Sequence, residues 1–124
     1  MTPDQAMDRL NIILAHAWMV RNFLKHADEV QEDEEMLELH RMIFDAIRAV
    51  EPSRERGDHK EYLRRMQGKL PKLRRVAEQF ANDYRRVSTH TNFEMAALSL
   101  TGVVKHIEEI LAAVQVTPLP PEQP

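Results

Sequence analysis

Apolar side chains return every three to four positions through most of this chain, and that recurrence leaves few folds open. Over residues 3–26 the series is Leu10, Ile13, Leu14, Ala17, Val20, Phe23 and Leu24. Over 33–50 it is Met36, Leu37, His40, Ile43, Phe44, Ile47 and Val50. Residues 58–87 carry Tyr62, Leu63, Met66, Leu70, Leu73, Val76, Ala77, Phe80, Tyr84 and Val87, and 91–114 carry Phe93, Ala96, Ala97, Leu100, Val103, Val104, Ile107, Ile110, Leu111 and Val114. A period near 3.6 collects each series on one face of a helix, and such a face must be covered. Four of them with short connections predict an all-α protein, an antiparallel up-down four-helix bundle over residues 1–115.

Local signals place the boundaries. Thr2, Pro3 and Gln5 make a capping box with proline at the first helical position. Asp58 with Glu61, and Thr91 with Glu94, repeat that pattern before the third and fourth helices. Pro52 is expected to end the second helix near Val50. Gly68 and Pro71 interrupt the third, and a proline there removes one backbone bond and crowds the preceding turn, so a kinked third helix is expected. The closing "VTPLPPEQP" cannot continue a helix, and residues 116–124 are expected to form a disordered Pro-rich tail.

A content of 43% hydrophobic and 30% charged residues in 124 positions fits a single soluble domain. With no cysteine, disulfides, thiolate metal sites and cysteine nucleophiles are excluded. The start "MTPDQAMDRLN" has early acids and no basic region, unlike a secretory leader. The apolar run from Ile12 to Val20 falls well short of the ~20 residues of a membrane span. A cytoplasmic protein without a membrane partner is expected.

The net charge of −3 is unevenly spread. Acids crowd residues 28–38 without a base, and bases crowd 60–75 with only Glu61 opposing. Folding the second and third helices about residue 54 sets residue 35 level with residue 73, so the two runs are expected to face each other. No aromatic ring interleaves the bases between Leu63 and Arg75, so nothing there invites base stacking, and no nucleic-acid partner is expected.

Among six histidines, His16 and His40 lie along apolar stripes. Folding the first two helices about residue 30 brings His16 one turn from His40. The plain expectation is two partly buried neutral imidazoles with ordinary partners; the alternative is a small-molecule site in which His16 and His40 line an internal pocket. A metal is not expected: no Glu precedes a histidine by three positions, and neither H-E-x-x-H nor H-x-x-x-H occurs. A phosphotransfer role would need an exposed imidazole near a cation, which His26 with Lys25 and His106 with Lys105 supply in principle. No phosphate loop or nucleophile elbow occurs, and no catalytic residue or cofactor is assigned.

The first helix carries more apolar arc than one bundle should need, because Ile12, Trp18 and Met19 widen it. Trp18 and Met19 are therefore candidates for an interface, through which a homodimer or another protein partner would dock. Arg21 is the one charge in that seam, and Asp45 is its expected partner. The leading functional expectation is a non-enzymatic protein–protein interaction or scaffold role with self-association through the first and fourth long helices.

Overall fold

The computed structural model describes residues 1–114, and the expected Pro-rich tail lies outside them. Over the described residues the protein is an all-α helical bundle. Its elements are α1 (Pro3–His26), α2 (Asp28–Gln31), α3 (Glu34–Glu55), α4 (His59–Val87) and α5 (Thr91–Ala113). The four long helices pack in a ring: α1 lies against α3 and α5, α3 against α4, and α4 against α5. Cross-bundle pairs fix the directions. Trp18 meets Phe44, Phe23 meets Phe93, and Arg86 near the end of α4 meets Asp33 at the start of α3.

Most of the apolar series becomes the interior. Leu10, Leu24, Met36, Ile43, Tyr62, Phe80, Phe93 and Leu100 are each 2% exposed or less. Full burial of a side chain of that size contributes roughly 1.5–3 kcal/mol. Phe23 and Phe93 lock α1 to α5 edge-on, with ring centroids 5.0 Å apart.

Helix starts follow the sequence closely. The Thr2–Gln5 capping box forms in both directions, and Asp58 accepts from the backbone N–H of Glu61. Asp33 caps α3 by accepting from Met36 N–H at 3.0 Å. At α5 the cap is His90, one residue before the expected Thr91: its Nδ1 accepts from Asn92 N–H at 3.0 Å.

Four expectations need correction. The stretch after α1 is more than a loop, since Asp28–Gln31 forms one helical turn and seats Val30 at 0% exposure. Pro52 does not stop the second long helix. α3 runs on to Glu55, and Gly57 is the true stop, at φ 69. There Gly57 N–H donates to Arg54 O and Asp58 N–H to Ser53 O, the paired bonds that close a helix on a left-handed residue. That later turn changes the level at which α3 meets α4. Asp33 and Glu35 therefore pair with Arg86, while Arg74 pairs with Glu108 of α5 at 3.0 Å. The acids of α3 do not meet the bases around residues 69–75 as expected. Arg21 also forms no salt bridge with Asp45. α4 runs from His59 to Val87 with Pro71 inside it.

Candidate functional site

α1 shares its sides between two neighbours, and the candidate chemistry divides the same way. On the α3 side, Trp18 and Phe44 stand 5.9 Å apart between ring centroids. The Arg21 guanidinium lies 4.5 Å from the Trp18 ring and 4.7 Å from the Phe44 ring. Arg48 approaches the same rings at 5.3 and 5.1 Å. A cation over an aromatic face is attracted by the ring's quadrupole, more so where water is excluded.

Arg21 is 8% exposed. Among the described residues no carboxylate forms a salt bridge with it, and its Nε has no hydrogen-bond partner. The expected Asp45 is solvent-exposed on α3. Stacking on the two rings takes the place of the ion pair. By contrast, Arg48 is neutralised: its Nη1 donates to both oxygens of Glu51, at 2.9 and 2.6 Å.

His40 is half-buried on this side, and its Nδ1 is buried without a partner. Burial holds its pKa below the ordinary imidazole value, and the positive charges of Arg21, Arg41 and Lys25 push it the same way against a smaller opposing pull from Glu38.

His16 sits on the other side. It is exposed and lines a shallow groove between α1 and α5 with Ile13, Ser99, Gly102, Val103 and His106. The structure thus brings His16 to His106 and leaves His40 against α1's opposite side, beside Arg21 and Lys25. His106 is exposed, and the charged group beside it is the Glu109 carboxylate at 3.6 Å. A transferred phosphoryl group would meet a like charge there. No three histidine, aspartate or glutamate side chains among the described residues converge as metal ligands.

The two interface candidates also separate. Trp18 turns into the α1–α3 seam and is half-buried. Met19 faces outward and is 64% exposed. Near it on α1 is Ile12 at 63%, and α5 adds Leu98 at 61% and Met95 at 49%. Between Ile12 and Met19 the outward positions are Ala15 and His16, and between Met95 and Gly102 they are Leu98, Ser99 and Thr101. Apart from the His16 imidazole, this stretch of both helices presents no ionisable side chain outward.

One constellation escaped the sequence reading. A hollow of about 190 Å³ opens between α1, α3 and α4, with Asn11, Trp18, Arg54 and Tyr62 in its wall. Tyr62 had the signature of a core residue, which it is. Arg54 lay beyond the expected end of its helix at Pro52, so nothing assigned it a face. Gly57 was the signal that could have placed it.

No helix of the described residues is long and apolar enough to cross a membrane. Set against known proteins, the chain matches no family model, no curated sequence and no solved structure.

Proposed function

We propose that the chain is an antiparallel up-down four-helix bundle that works in the cytoplasm as a self-associating protein–protein interaction module. A second copy docks on the joined outer faces of α1 and α5. One observation carries this reading: of the five large hydrophobic side chains that stand exposed, Ile12 and Met19 lie on α1 and Met95 and Leu98 on α5, the fifth being Met1. Single exposed hydrophobics are ordinary, whereas several gathered on two adjacent helices mark an interaction surface; Leu98, at the far edge of the set, also lines a groove against α4 with Arg85 and Glu94. A two-fold axis through that patch would match it to itself. Methionine suits such a surface because its flexible thioether adapts to the opposing side chains. A bend of α4 at Pro71 belongs to the same proposal about the bundle.

The interface is assigned to Met19 and its outward neighbours, with Trp18 left to hold α1 against α3. Light scattering or sedimentation at micromolar concentration tests the reading. A dimer that Met19→Glu converts to a folded monomer is the expected result. A monomer in the unaltered chain would overturn it.

A further inference from the structure

We propose that the hollow between α1, α3 and α4 binds a small organic carboxylate of about the size of benzoate, with Arg54 taking the carboxylate and Trp18 covering the apolar body. The size comes first. The hollow measures about 190 Å³, and an apolar cavity of ~150 Å³ accepts one benzene ring. Leu14, Val50 and Trp18 supply an apolar wall. A ligand of one ring or one branched chain fits such a space.

Charge then selects the functional group. Arg54 lines the hollow, and no carboxylate among the described residues pairs with it. Glu51 is also in the wall, but Arg48 holds both of its oxygens. With Glu51 and Arg48 cancelling, the surplus charge at the wall is positive. An amine ligand would have to draw Glu51 away from Arg48 and still face Arg54, whereas a carboxylate meets an unengaged guanidinium of fitting geometry.

A hydrogen-bond donor completes the set. Tyr62 is 0% exposed, lines the same hollow, and its hydroxyl has no partner. A buried hydroxyl left without a partner is destabilising, and a ligand acceptor that reached it would relieve that. Burial also pushes this phenol well above its ordinary range, so it stays protonated and able to donate. Arg54 and Tyr62 come from the two helices joined by the turn at Gly57, so the closure of that turn sets their spacing.

The chain has one tryptophan, and Trp18 lines the hollow, so its fluorescence reports occupancy directly. The full chain is titrated with benzoate, and with benzyl alcohol and benzylamine as neutral and cationic counterparts. Benzoate should give a saturable change in Trp18 emission, with the other two at least about tenfold weaker. Arg54→Gln changes an exposed side chain and should leave the fold intact while weakening benzoate by about tenfold and benzyl alcohol hardly at all. Tyr62→Phe keeps the ring and removes only the hydroxyl, and should weaken benzoate about threefold or more. Equal binding of the three compounds, no saturable response to benzoate, or unchanged benzoate affinity in Arg54→Gln would each overturn the proposal. The Met19→Glu monomer should bind benzoate as the unaltered chain does, so a failure of the dimer leaves this site standing and the reverse holds too.

Discussion

The two sides of α1 solve the same packing problem with different chemistry. Against α3 the contact is aromatic and cationic: Trp18 and Phe44 with Arg21 stacked on both, and Arg48 over them from outside. Against α5 a buried contact is the edge-on pair of Phe23 and Phe93, and the outward sides of the two helices hold exposed Ile12, Met19, Met95 and Leu98. One side covers its large side chains with its own charges. The other leaves them bare. A wide apolar arc on one helix therefore has two meanings within a few residues, and only the neighbour decides which applies.

The comparison breaks most visibly if the ring pairs prove equivalent. Phe93 is 2% exposed, and Phe93→Ala should cost about 3–5 kcal/mol in denaturant unfolding. Phe44 is only half-buried, and Phe44→Ala should cost roughly half of that, because less area leaves water and a smaller cavity remains. Equal losses would mean that the two sides hold α1 alike.

Surface chemistry gives the next effect in size. Met19→Glu should weaken self-association by about 2 kcal/mol or more, a roughly thirtyfold change in dimer dissociation, because an isologous contact carries the substitution twice. The folded monomer should change by no more than about 0.5 kcal/mol, since Met19 is exposed within it. Sedimentation of dilution series measures the first and urea unfolding of the monomer the second. A dimer untouched by Met19→Glu but broken by Trp18→Glu would transfer the interface to the α3 side.

A smaller change tests the cationic side. Arg21 buries its charge without a carboxylate, so Arg21→Met should raise stability by about 1 kcal/mol: methionine fills the stem's volume, keeps contact with both rings, and removes the desolvated charge. A loss of similar size in the unfolding free energy would mean that stacking on Trp18 and Phe44 outweighs desolvation.

Much of this arrangement was legible because helical periodicity is a local property. Most interior residues of the four long helices and the caps at Thr2 and Asp58 follow from spacing alone, although buried Ala6, Leu39 and Ala46 fell outside the expected faces and Leu37, His40 and Phe44 are only half-buried. What failed depended on a neighbouring helix or on one misjudged stop signal. Trp18 and Met19 are adjacent in sequence, but successive residues turn by ~100° about a helix axis, so one faces α3 while the other faces outward. His16 and His40 looked close when the first two long helices were folded together, and their azimuths separate them. Pro52 outranked Gly57 as a stop signal in the sequence, although a left-handed glycine can close a helix with two bonds and a proline in the last turn only removes one. That single boundary also moved Arg54 out of view and misaligned the charge runs of α3 and α4.

The smallest effect links pH to the cationic side. His40 faces Arg21 and Lys25 from α1, with Arg41 and Glu38 on its own helix. Burial, then the charge of Arg21, hold its folded pKa below the ordinary value of 6.5. The unfolded chain therefore binds the His40 proton at a pH where the folded chain does not. Stability should be full above about 6.5, decline as pH falls from there towards the folded pKa, and level off once both states are protonated. Urea midpoints between pH 8 and pH 5 would register the slope, and His40→Gln should flatten that part of it. The imidazole resonances should place His40 below its ordinary range, and a value at or above that range would contradict the sign. Arg21→Met then separates the two causes. If the guanidinium contributes, the His40 pKa rises in the variant and the acid-side slope shrinks with it; if neither moves, burial alone keeps this imidazole neutral, and the stacked arginine acts on the rings without reaching the histidine.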